Sequence, residues 1–139
     1  MTRASFVPKT NDGNKGTPMA VIVLCDDPQG LLGQIKKGIA SGTIETWLTD
    51  SDGDFIHSPK QWQNLAWFRP SVQQDRLVFN ILGNRDIRMS KVTYGVYHGR
   101  FIEMLLTHFD LQFNRAFATA LAVQGDWVGP ATQRTSSNP

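Results

Sequence analysis

One stretch constrains this chain more than any other. From Lys91 to about His108, the residues Val92, Val96, Tyr97, Phe101, Met104, Leu105 and Phe109 recur at helical spacing, and Ser90 stands where an N-cap belongs. A long helix with an apolar stripe must bury it against another layer. That layer is legible upstream. Thr43 to Thr49 alternates Ile44, Thr46 and Leu48 with Thr43, Glu45 and Trp47, then runs through Asp50-Ser51-Asp52-Gly53-Asp54 into a short return from Asp54 to His57. Ser58-Pro59 opens a short helical turn holding Trp62, and Leu65 to Arg69 with Arg76 to Leu82 reads as a second hairpin joined across Pro70 to Asp75.

Asp27-Pro28 predicts the start of another helix, because the aspartate can accept an orphan amide hydrogen bond and proline at N1 gives up a donor that had no partner. This helix runs from Pro28 to about Ser41, with Leu31, Leu32, Ile35 and Ile39 on one face and Gly42 placed as the left-handed C′ residue. Gly30, Gly33 and Gly38 weaken it by about 1 kcal/mol each relative to alanine, so packing must hold it. Phe113 to Val123 is expected to close the sheet as a last strand, its alanines leaving a helical continuation open. The fold class is therefore α+β, an antiparallel sheet of about four or five strands packed against two helices. Residues 1–18 are expected to form a flexible arm, 19–124 the single domain and 125–139 a flexible tail.

A chain of 139 residues can hold a core without disulfides or a structural metal, and with a single cysteine, Cys25, it has neither a disulfide framework nor a cysteine-built zinc or iron–sulfur site. Asp26 and Asp27 beside that thiol raise its pKa and disfavour a nucleophilic thiolate, so Cys25 reads as a packed apolar residue. The net charge of +2 is too small to demand a polyanionic partner, and nucleic acid is disfavoured. The longest apolar run, Met19 to Cys25, is far short of the ~20 residues that span a bilayer, and no secretory signal pattern precedes it. A cytoplasmic location without a membrane partner is the expectation.

Chemistry concentrates at the start of the long helix. The segment Asn84-Arg85-Asp86-Ile87-Arg88-Met89-Ser90-Lys91 delivers Arg85, Arg88 and Lys91 to free amides and a positive dipole end. Arginine's planar fork grips phosphate or carboxylate, and Tyr94 offers a ring on which a base could stack. Gly95 and Gly99, four apart in a helix, usually mark the close approach of another backbone, helix or ligand. His98, Arg100 and Glu103 follow within about one and a half turns. His98 and Glu103 are poorly spaced to face each other, Tyr94 and His98 are well spaced, and Arg100 with Glu103 suits a surface pair.

Other constellations are weaker. Asp50, Asp52 and Asp54 resemble a calcium loop, but an EF-hand counted from Asp50 would need glycine and glutamate where Phe55 and Gln61 stand. A tight hairpin explains the same residues, with Asp52 and Asp54 near His57 as a weak divalent-ion rival. His57, His98 and His108 show no histidine metal spacing, and there is no Walker loop, dinucleotide fingerprint or nucleophile elbow. Trp47, Trp62, Trp67 and Phe68 lie on or beside the sheet, an aromatic excess that suits a subunit interface.

The run Tyr94-Gly-Val-Tyr-His-Gly-Arg-Phe-Ile-Glu-Met-Leu-Leu-Thr-His-Phe-Asp, with Ser41-Gly-Thr-Ile-Glu-Thr-Trp and Ala66-Trp-Phe-Arg-Pro, resembles small uncharacterised bacterial proteins of the mobile gene pool, such as those on phages or integron cassettes. The resemblance spans about residues 30–124. It implies a compact stand-alone domain encoded on mobile DNA and supplies no activity or catalytic residue.

Together these features predict a non-enzymatic, homo-oligomeric domain that binds a small anionic molecule, a nucleotide being one candidate, near Arg85, Arg88, Lys91, Tyr94, His98 and Arg100. No cofactor or metal is expected. The alternatives are an enzyme using His98 with Glu103 or Asp54 as acid and base, and an interaction protein whose Gly95 and Gly99 face meets a partner helix.

Overall fold

The computed structural model describes residues 21–120; the expected arm (1–18) and tail (125–139), with the outer limits of the 19–124 domain, lie outside the described residues. The elements are β1 (Val21–Leu24), α1 (Pro28–Ala40), β2 (Trp47–Thr49), β3 (Phe55–His57), β4 (Ala66–Val72), β5 (Arg76–Gly83), α2 (Lys91–Phe109) and β6 (Arg115–Ala118). The strands form one antiparallel sheet in the order β2-β3-β4-β5-β1-β6. This is the expected α+β class with six strands where four or five were anticipated. The added strand is β1, which pairs Val21 with Phe79 and Val23 with Leu77 on one side, and with Ala118 and Ala116 on the other.

Local chemistry sets the element ends. The Asp27 carboxylate accepts from the Gly30 amide at 3.1 Å, and Pro28 opens α1. Gly42 takes φ +87°, and the Ile44 amide donates back to the Gly38 carbonyl at 3.0 Å. That bond corrects the expected strand from Thr43: Ile44 is spent closing the helix and enters the core from a loop, so β2 starts only at Trp47. In the β2–β3 turn, Asp50 Oδ1 accepts from the amides of Asp52 and Asp54 at 2.9 and 3.0 Å, and Gly53 takes φ +85°. Pro70, expected in a connection, lies inside β4, opposite Phe79. It is tolerated there because the β3 register reaches only Phe68, leaving the other side of β4 without a ladder to supply.

Both helices pack on one face of the sheet. Leu31, Leu32 and Ile35 of α1 and Tyr97, Phe101, Met104 and Leu105 of α2 share one cluster with Val21, Val23, Trp47, Phe55, Phe68, Leu77, Phe79 and Ile81. Phe101 is its hub, with ring centroids 4.6 Å from Phe79 and 5.0 Å from both Phe68 and Trp47. On the opposite sheet face Ile22, Trp67, Val78 and Leu82 are buried as well.

The Ser90 hydroxyl accepts from the Thr93 amide at 3.0 Å and caps α2 as the sequence indicates. The inward stripe is Thr93, Tyr94, Tyr97, His98, Phe101, Met104, Leu105 and Phe109. Val92, expected on that stripe, is instead 65% exposed, and Val96 is half-buried. Polar Thr93 and His98 occupy the inward positions and rotate the valines outward. The final segment forms a strand over Arg115–Ala118, whereas its expected end at Leu121 to Val123 lies outside the described residues. No helix among the described residues is long and apolar enough to cross a membrane.

Candidate functional site

The segment entering α2 is an ordered turn. Asn84 Oδ1 accepts from the Asp86 amide at 2.8 Å, Asn84 Nδ2 donates to the Asn64 carbonyl at 2.9 Å, and Met89 is buried as an anchor. Arg85, Arg88 and Lys91 project from it, all exposed. The two rings expected to complete an anion site face the other way. Tyr94 and His98 are buried and stacked, centroids 4.0 Å apart, with Phe68 edge-on to the imidazole at 5.2 Å. The Tyr94 hydroxyl donates to the Thr119 carbonyl at 3.0 Å, and His98 Nδ1 donates to the Tyr94 carbonyl at 2.6 Å. Arg100 is exposed and paired with Glu103 at 3.1 Å. Arg85, Arg88 and Lys91 are thus exposed, Tyr94 and His98 buried, and Arg100 exposed with Glu103 as its partner.

The acid–base pairings fare similarly. His98 is buried against Phe68 while Glu103 is exposed on the outer side of the same helix. Asp54 lies on the sheet face opposite Phe55 and is held by Arg69 at 2.9 and 2.8 Å, away from the helices. Asp50, Asp52 and Asp54 have ligand oxygens within 4.8 Å of one another and are the described group able to hold a cation. The Arg69 guanidinium already supplies positive charge to Asp54, and two turn amides occupy Asp50 Oδ1. His57, the last residue of β3, packs against Trp47 and Tyr97, whereas Asp54, which precedes the strand, is held by Arg69.

His57 belongs to a cluster that no motif marks. Its ring lies 4.6 Å from Trp47 and 5.8 Å from Tyr97, and its Nδ1 donates to the Thr46 carbonyl at 2.9 Å. Burial pushes its pKa below the ordinary value and Arg100 adds to that, against opposing contributions from the Thr46 carbonyl and Glu103. The Tyr97 hydroxyl donates to the Trp62 carbonyl at 2.9 Å and accepts from the His57 amide at 3.3 Å, tying α2 to the β3 region. The alternation of Phe55 with His57 was the available signal for this inward placement. Cys25 is packed as the sequence indicates, its thiol pushed up by burial and then by Asp26 and Asp27. A cleft of about 330 Å³ between the start of α1 and the α2–β6 connection is lined by Asp26, Asp27, Gln34, Phe113 and Asn114, none of them among the residues singled out for binding.

The outer side of α2 is the remaining candidate. Gly95 and Gly99 are exposed, and a Cβ built on either meets nothing within 4 Å. Around them Val92 is 65% and Leu106 56% exposed, while Ile102 between them is partly buried against the core. These positions advance by three or four residues, so they form one continuous outward stripe. The chain matches no family model, no curated protein and no solved structure.

Proposed function

We propose that the protein is a self-associating interaction module whose interface is the outer face of α2. One observation carries this reading: two helix-interior glycines stand over open space between exposed Val92 and Leu106. Each costs about 1 kcal/mol of helix stability relative to alanine. Neither takes a φ above zero, unlike Gly42 and Gly53. No neighbour among the described residues requires them either. A backbone kept bare within an apolar stripe suits the close approach of a second helix. The ligand-binding alternative retains three exposed cations but neither of its rings.

The test is sedimentation of the purified chain beside a Gly95→Leu/Gly99→Leu variant, with helix content followed by circular dichroism. Concentration-dependent assembly that disappears in the variant while helicity is kept supports the proposal. A wild-type monomer throughout, or assembly indifferent to the substitutions, overturns it.

A further inference from the structure

The two faces of the sheet differ in what stands over them. Both helices pack on the face of Val21, Phe68 and Phe79. On the other face the directly paired Ile22 and Val78, and Trp67 and Leu82, are all at most 7% exposed and Asp54 is fully buried, yet no helix or strand among the described residues lies over them. The cover is narrow. Toward the two edges of that face, Phe117, paired with Ile22, is 43% exposed, and Leu48 of β2 is 46% exposed. Burial confined to the middle strands fits one length of chain crossing the sheet, whereas a second sheet or a second copy would cover the edges too.

We infer that the occupant of this face is the chain's own residues 1–20, laid as a strap from the start of β1 toward the β2–β3 turn. Register sets the direction. Val21 pairs with Phe79, so the segment before β1 meets the sheet beside Asn80; Asn80 pairs with Arg69, and Arg69 holds Asp54. This row leads across the sheet to the acidic turn of Asp50, Asp52 and Asp54. Three strand spacings, about 14 Å, separate β1 from β3, well within the roughly 60 Å that such a segment spans when extended. Charge selects this segment over residues 121–139. Residues 1–20 hold Arg3, Lys9 and Lys15 against Asp12, which complements the acidic turn; residues 121–139 set Arg134 against Asp126 and follow the edge strand β6, one strand further from the turn. Phe6, Val7 and Met19 supply apolar side chains to exclude water from Trp67 and Leu82.

Carbodiimide coupling of the full-length wild-type chain tests the occupant, with isotope-labelled and unlabelled protein mixed so that links within and between chains differ in mass. The expected product is an amide link from Lys9 or Lys15 to Asp50 or Asp52 within one chain. Links to the turn that form only between chains assign the face to a second copy and overturn the inference, as does the absence of any link from either lysine to the turn. Asn80→Cys reads the cover itself, because Asn80 lies between Val78 and Leu82 on the same face, and Cys25 is buried and stays silent. Its maleimide labelling is expected to quicken by about tenfold when Arg3→Glu, Lys9→Glu and Lys15→Glu are added, the effect of losing three surface charge contacts. Labelling indifferent to those three reversals overturns the strap.

Discussion

Replacing Gly95 and Gly99 by alanine separates the stability of α2 from the use of its outer face. Neither glycine is left-handed, and a Cβ at either position meets no atom within 4 Å, so the added methyls introduce no clash. Alanine is favoured over glycine in a helix interior by about 0.8–1 kcal/mol, so the double variant should gain about 2 kcal/mol. In urea, with a slope of roughly 1–3 kcal/mol per molar for a small domain, that gain moves the midpoint upward by about 1 M with the slope unchanged. The measurement is urea unfolding by far-UV circular dichroism, at a concentration low enough to keep the chain monomeric.

Three other glycines of α1 calibrate it. Gly33 is also open, and its alanine variant should gain a similar single increment. A Cβ at Gly38 would sit 2.8 Å from Ile44 Cδ1, so that variant should gain nothing or lose stability. A Cβ at Gly30 would collide with the Asp27 carboxylate and displace the N-cap, costing about 1 kcal/mol. A neutral or destabilising effect at Gly95 and Gly99, alongside a gain at Gly33, would refute the claim that the face is open in the monomer. The same double variant should self-associate more weakly, because its methyls hold the second helix away. Stability and association moving in opposite directions is the signature of an interface glycine.

Two further outcomes follow from the buried polar groups. His57 has its pKa depressed below 6.5 in the fold, so as pH falls below that value the unfolded chain takes up the proton first; stability therefore drops between about pH 6.5 and the lower folded value, and His57→Asn should flatten that part of the pH profile in urea titrations at successive pH values. An unaltered slope in the variant would assign the acid sensitivity to other groups. Arg69→Met should destabilise more than Asp54→Ala, by roughly 2–4 kcal/mol, because it takes the guanidinium from a fully buried carboxylate, whereas an Arg69 side chain that is one-third exposed can turn to water when its partner is removed. Equal losses in thermal unfolding would contradict this.

The parts of the fold that were legible in the sequence rest on short-range chemistry. Asp27-Pro28, Ser90 and Gly42 act on amides within a few residues, so each marks an end that the structure retains. What was not legible depends on what lies on the far side of an element. Val21–Leu24 is a central strand with both faces buried, so its apolar run shows no alternation to distinguish it from any other hydrophobic segment. Thr43 to Thr46 alternates well, yet Gly38 competes for the Ile44 amide.

The same competition decides which way the candidate site residues face. Cations and rings that bear chemistry were grouped by nearness in sequence, and Tyr94 with His98 is a true pair at four-residue spacing. Spacing does not say which way a pair faces, however. His98 Nδ1 spends its hydrogen bond on the Tyr94 carbonyl and the Tyr94 hydroxyl reaches the Thr119 carbonyl, which helps both rings to be buried. Once they, with Thr93, take inward positions, the helical period turns Val92, Gly95, Gly99 and Leu106 outward together. The residues that mark the outer face are then two without side chains, in a helix whose inward packing makes no use of their smallness. A glycine whose cost nothing among the described residues offsets is what the proposed interface on the outer face of α2 would account for.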